Sequence, residues 1–171
     1  MDIVKGPDNH KEEKISRMIQ QYEKDLLRLC CVYLKDASMA EDAVQETFFK
    51  AYRSLDAFRD ESSEKTWLIR IAVNVCKDMQ RTAWFRNIGR LVSLNDIQIP
   101  QEPEVKSEIV SEIMRLPKKL REVVLLYYYE DMTQSEIAGA LNVSVPTVHR
   151  RLDKARGALK DMLKGGTVLE T

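Results

Sequence analysis

Residues Met132 to Leu163 read MTQSEIAGALNVSVPTVHRRLDKARGALKDML, and this stretch decides the fold. Thr133 and Glu136 have the S/T-x-x-E spacing with which a hydroxyl and a carboxylate cap a helix start reciprocally. Ile137, Ala138 and Leu141 supply the apolar face of a short helix. Asn142-Val143-Ser144 reads as a turn. Pro146 suits the first turn of the next helix, where its missing N–H leaves nothing unpaired. In that helix Val148, Leu152, Ala155 and Leu159 fall on one face. A short helix, a tight turn and a longer basic helix make a helix-turn-helix, whose second helix enters the major groove of DNA.

The inward face predicts the outward one. With 148, 152, 155 and 159 turned to a core, Pro146, Thr147, His149, Arg150, Asp153 and Lys154 face broadly away from it. Arg150 has the fork that pairs with guanine, and His149 can donate to a base acceptor. Arg151, Arg156 and Lys160 suit phosphates. Charge agrees with this division. Residues 130–143 hold Glu130, Asp131 and Glu136 and no Lys or Arg, whereas residues 144–164 hold six basic side chains against Asp153 and Asp161. A merely solvated amphipathic helix would account for the basic face but not for the cap, the turn and the proline before it.

Upstream, apolar residues recur every three or four positions. Ile15, Met18, Ile19, Tyr22, Leu26, Leu29, Cys30 and Tyr33 form one stripe. Ala40, Ala43, Val44, Phe48, Ala51, Tyr52 and Leu55 form a second, with Ser38 as its expected cap. Leu68, Ile71, Ala72, Val75, Cys76 and Met79 form a third, with Trp67 beside it as a core residue. Three such stripes predict a small helical bundle. The pattern fades over 86–107, which contains Gly89, Pro100 and Pro103, and returns with Ile109, Ile113 and Leu116 before Pro117 opens a further helix. The expected organisation is all-α. It consists of a tail over 1–14, a bundle over 15–85, a flexible linker over 86–107, a helix-turn-helix domain over 108–164 and a tail over 165–171.

Composition bounds the function. The 171 residues carry 27 basic and 27 acidic side chains, so the chain is not a generic polycation. Hydrophobic residues make up 44%, enough to bury a core. No apolar run approaches the ~20 residues needed to span a bilayer, and the N-terminal MDIVKGPDNHKEEK lacks the apolar segment of a secretory signal. Cys30 and Cys76 lie on apolar stripes and Cys31 reads as a free thiol. Three cysteines, two of them adjacent, argue against a disulfide framework and for a reduced cytoplasmic protein.

Two further strings, AEDAVQETFFKAYRSLDAF (40–58) and TWLIRIAVNVCKD (66–78), carry a resemblance. Together with the helix-turn-helix they resemble the extracytoplasmic-function (ECF) sigma factors of bacterial RNA polymerase. The resemblance runs from about Ile15 to Leu163, with both motifs in order across a linker of fitting length. It implies a σ2 domain that docks on the β′ clamp helices of core RNA polymerase and melts the −10 element. It also implies a σ4 domain that binds the β flap and reads the −35 element. On this resemblance Asp42, Gln45, Glu46, Phe49, Lys50 and Arg53 match the polymerase-docking helix. The loop Arg59, Asp60, Glu61, Ser62, Ser63 to Lys65 matches the pocket for a flipped −10 base. Asn74 matches a −10 contact, and Lys77 and Arg81 on the same helix would meet phosphates. Ser144, Pro146, Thr147, His149, Arg150, Arg151, Asp153, Lys154 and Arg156 fall on or beside the −35-facing positions. A regulating anti-sigma factor, often membrane-bound, is also implied.

Elementary chemistry fits these roles. A flipped base needs a polar pocket to offset unstacking, and single-stranded DNA needs cations along its backbone. Lys77, Arg81, Arg86 and Arg90 face only Asp78 in that stretch. Trp84 and Phe85 read as core or linker anchors, with base stacking as the alternative. The recognition helix departs from the family's usual small-x-Gly-Thr-Val-Lys/Arg-Ser-Arg. Pro146 replaces the Gly, His149 the Lys or Arg, and Arg150 the Ser.

Catalytic readings fare worse. Glu41, Asp42 and Glu46 cluster on one helix, but the two histidines, His10 and His149, lie elsewhere and no Glu-x-x-His pair exists. There is no phosphate-binding glycine loop and no nucleophile elbow. No enzyme, cofactor, metal or small-molecule substrate is expected. The competing readings are a stand-alone helix-turn-helix regulator with a sensing or dimerising bundle, and a helical adaptor that does not bind DNA.

Overall fold

A computed structural model describes residues 7–59, 62–86 and 107–166. These residues form helices and turns with no strand, in two units. The first contains α1 (Pro7–Leu34), α2 (Ala37–Ser54), a 3₁₀ turn (Leu55–Ala57) and α3 (Glu64–Arg86). The second contains α4 (Ser107–Arg115), α5 (Lys118–Tyr128), α6 (Gln134–Leu141) and α7 (Val145–Gly166). The linker expected over 86–107 lies, apart from its end residues, outside the described residues, as do residues 1–6 and 167–171 and the side chains of Trp84 and Phe85.

In the first unit each helix packs on the other two. Met18, Leu26, Leu29, Cys30 and Tyr33 of α1 meet Ala40, Ala43, Val44, Phe48 and Ala51 of α2 and Leu68, Ala72, Val75 and Cys76 of α3, all buried. The three alanines on α2 let its backbone come close to its neighbours. Ile69 and Val73, outside the expected stripe, are also buried. α3 faces two helices at once, so its apolar face is wider than a single stripe. Ile71, expected inward, is only partly buried.

Two local expectations are corrected. α1 begins at Pro7, not near Ile15, so residues 7–14 of the expected tail are helical. This segment has no apolar stripe, and charge holds it. Lys11 pairs with Asp56, and Lys14 and Arg17 reach Glu64 at 3.8 and 2.7 Å. The ammonium groups of Lys11 and Lys14 also lie over the rings of Tyr52 and Phe58. The cap of α2 is Asp36, not Ser38. Lys35 turns left-handed (φ 55°) and ends α1. Asp36 is then extended, and its carboxylate accepts the Met39 N–H at 2.8 Å.

The three thiols are unpaired and buried. The Cys30 thiol is pushed up by its hydrogen bond with the Cys76 thiol and by burial. The Cys31 thiol is pushed up chiefly by burial, then by the charges of Glu41 and Asp36. All three behave as small apolar core groups.

The second unit assembles around α7, which packs on α4, α5 and α6. The Arg121 guanidinium, buried in the α4–α5 corner, donates to the Met114 carbonyl at 2.9 Å and satisfies an orphan group at the end of α4. The expected capping box is present. The Glu136 N–H donates to Thr133 Oγ1 at 3.3 Å, and the Thr133 N–H to Glu136 Oε2 at 2.9 Å. Asn142 adopts φ 54°, ψ 52°, and the Val143 N–H returns to the Ala138 carbonyl. This left-handed residue makes the turn tight.

Asn142→Gly is expected to be tolerated, because glycine has no Cβ penalty in this region. Asn142→Ala is expected to cost about 1–2 kcal/mol, read as a lower thermal midpoint of the second unit. The Arg17 guanidinium beside Glu64 holds that carboxyl below its ordinary range, against a smaller opposing effect of burial. A depressed carboxyl stabilises the fold above its unfolded value and loses that contribution as pH falls through the folded value. Glu64→Gln is therefore expected to flatten the acid limb of stability against pH, below about pH 4.3. Denaturation midpoints across that limb check it.

Candidate nucleic-acid interface

The α7 register sets the first surface. Val148, Leu152 and Ala155 are each 0% exposed, which turns His149, Arg150, Asp153 and Lys154 to solvent. Thr147 and Arg151 are half-buried at the edges. Ser144 precedes the helix and its carbonyl accepts the Val148 N–H. The hydroxyls of Ser144 and Thr147 lie 2.9 Å apart, so both serve the helix start. Exposed Pro146 completes that first turn without a wasted donor.

The side chains differ in availability. Arg150 makes no ion pair among the described residues. Asp153 lies between two partners, with His149 Nε2 at 3.2 Å from one oxygen and Arg156 Nη1 at 3.3 Å from the other. Arg156 also donates from Nε to the Tyr128 hydroxyl at 2.8 Å. Tyr128 was not singled out in the sequence. Two tyrosines flank it, and nothing in that run distinguishes the one facing α7.

The second surface lies on α2. Asp42, Gln45, Phe49, Lys50 and Arg53 are exposed along one side, and Glu46 is half-buried. Phe49 is 56% exposed, unusual for a phenylalanine in a folded unit. The Arg53 guanidinium lies 5.7 Å from its ring, and Lys50 pairs with Glu46 at 3.6 Å. A charged stripe around an exposed aromatic ring is a protein-docking pattern.

The −10 candidates adjoin this stripe. Lys50, Arg53, Ser54, Ile71 and Asn74 line one open groove of about 450 Å³. Ser54 and Ile71 were not anticipated there, and Ile71 explains its partial exposure by this role. Asn74 is exposed, while Leu68, Ala72 and Val75 on the same helix are buried. Lys77 is half-buried, and exposed Arg81 faces Asp78 at 3.4 Å.

The loop before α3 is held at its ends. Phe58 stacks on Trp67 with centroids 4.7 Å apart, and Arg17 grips Glu64. Arg59 is exposed. Ser63 accepts the Thr66 N–H at 3.1 Å, and its hydroxyl meets Thr66 Oγ1 at 2.9 Å, so it caps α3. Ser62 is half-buried, and Lys65 faces Asp25 at 3.7 Å. Asp60 and Glu61 lie outside the described residues.

Comparison with known proteins matches both units of the chain to one family. Residues 18–86 match Sigma-70 region 2, and residues 106–159 match Sigma-70, region 4. The RNA polymerase sigma-H factor of Pseudomonas aeruginosa is 31% identical over 163 residues, covering 86% of this chain and 84% of that protein. The ECF RNA polymerase sigma factor SigW of Bacillus subtilis is 29% identical over 171 residues, covering 90% of each. The solved structure of the sigma factor RpoE in complex with the anti-sigma factor NepR from Bartonella quintana shares the fold. Its TM-score is 0.77 at 21% identity, covering 89% of this chain and 98% of that one. Two sigma regions in their proper order leave the stand-alone regulator without support. The chain belongs to the sigma-70 family of RNA polymerase sigma factors, in its extracytoplasmic-function branch, and acts in transcription initiation.

Proposed function

We propose that the two units divide promoter recognition between them. In the first, Asp42, Gln45, Glu46, Phe49, Lys50 and Arg53 dock on the β′ clamp helices. Asn74, with the loop from Arg59 to Lys65, holds an unstacked base of the −10 element, while Lys77 and Arg81 follow its backbone. In the second, the start of α7 enters the major groove at the −35 element and the unit binds the β flap. There His149, Arg150, Asp153 and Lys154 meet base edges, and Arg151 and Lys160 meet phosphates. The factor supplies specificity and melting, and the chemistry belongs to the polymerase.

The observation that supports this division is the groove that Asn74 shares with Lys50 and Arg53. With the −10 candidate beside the docking stripe, melted DNA would be captured where polymerase is bound. An anti-sigma factor covering the same surfaces would keep the protein inactive, and the similar fold of RpoE is found in complex with such a factor, NepR. Among the described residues no helix is long and apolar enough to cross a membrane. A factor that acts with RNA polymerase would work in the bacterial cytoplasm, and any membrane tether would come from the anti-sigma partner.

Start-site mapping with reconstituted holoenzymes tests the assignment. Arg150→Ala is expected to relax preference at one −35 position by roughly 5- to 150-fold, the range of a good bidentate base contact. Asn74→Ala is expected to weaken −10 discrimination or permanganate-detected melting while core binding is retained. Unchanged promoter choice in both variants would overturn the assignment. Without core polymerase, binding to duplex DNA should be weak and fall steeply with salt.

A further inference from the structure

Arg156 stands among the basic residues of α7, where sequence alone assigns it to a phosphate. The structure shows two of its five N–H donors engaged. Nε donates to the Tyr128 hydroxyl at 2.8 Å, and Nη1 lies 3.3 Å from Asp153 Oδ1. The guanidinium also lies 5.9 Å from the ring centroids of both Tyr127 and Tyr128, which meet edge to face. A planar fork with these two bonds and two ring contacts is pre-organised toward α5 and Asp153. Asp153 accepts from Arg156 through Oδ1, and His149 Nε2 lies 3.2 Å from Oδ2. Arg156 thereby orients the carboxylate, partly offsets its charge and leaves it acceptor capacity for a further donor.

We propose that Tyr128 is a positioning residue for promoter readout. Through Arg156 it fixes Asp153 so that this carboxylate accepts a hydrogen bond from a base amino group, and Arg156 itself contacts no phosphate. The proposal rests on α7 being the −35-reading helix. It assigns to α5 a part in base preference that exposure and sequence do not reveal. A cytosine amino group is the chemistry a fixed carboxylate in the major groove recognises.

The test uses holoenzyme with a promoter library randomised across the −35 element, and a salt series on one tight-binding promoter. The proteins are the wild type, Tyr128→Phe, Arg156→Ala, their double variant, Asp153→Asn and Arg150→Ala. Tyr128→Phe keeps the ring and removes only the hydroxyl. It is expected to erode base discrimination at the same −35 position that Asp153→Asn affects, by at least about threefold within the range of such contacts. Arg156→Ala should do the same, and the double variant should be no worse than the worse single, as expected for two residues acting in series. The salt slope of Arg156→Ala should equal that of the wild type. A slope reduced by about 0.9 would make Arg156 a phosphate ligand and overturn the proposal. A lower thermal midpoint for Tyr128→Phe with unchanged base preference would reduce the contact to a structural one and also overturn it. If Arg150→Ala too leaves −35 preference untouched, the reading of α7 itself fails, which separates the two failures.

Discussion

The burial of Val148, Leu152 and Ala155 against neighbouring helices fixes the rotation of α7, and the makeup of its exposed face depends on it. A helix turned by one residue would move each side chain by about 100° around the axis. Arg150 would then leave the centre of the solvent-facing side. The left-handed Asn142 and the Thr133–Glu136 capping box set where α6 ends and begins, and thus where α7 can start. Apolar burial, which has no direction, is converted by helical geometry into a directional statement about polar groups.

The same logic orders the first unit, with charge added. Its core places Phe49 and Asn74 outside because their neighbours on α2 and α3 are inside. The 3₁₀ turn and the start of α3 are held by polar as well as apolar contacts. They are tied by Arg17 to Glu64, by Lys11 to Asp56 and by the stacking of Phe58 on Trp67. Exposed ion pairs contribute little individually, but several pairs and a ring stack together tie the 3₁₀ turn and the start of α3 to α1 and to each other.

Most of this was legible in the sequence where periodicity and capping chemistry are local. The α6–α7 turn, the capping box, the role of Pro146 and the three stripes of the bundle all follow from spacings of a few residues. The exposed faces followed as the complement of the stripes. What escaped is what depends on a second helix. Ile69 and Val73 are buried because α3 meets two partners, and residues 7–14 are helical because their lysines find acidic groups on other elements. Tyr128 is one of three consecutive tyrosines, and only the α5–α7 packing selects it for Arg156. Asp36 outcompeted Ser38 as the cap because Lys35 ends α1 in a left-handed turn, a backbone choice with no signature in a lysine.

The central claim is that one chain directs core polymerase to promoters through two separate surfaces. The most direct measurement is transcription by core polymerase, with and without this protein, on a DNA library randomised over forty or so upstream positions, read by sequencing of the transcripts (the window is about the reach of a −35 to −10 promoter). New starts are expected that appear only with the protein and share two sequence blocks at a fixed spacing. Starts sharing a single block, or no new starts from a folded protein that binds core, would contradict it.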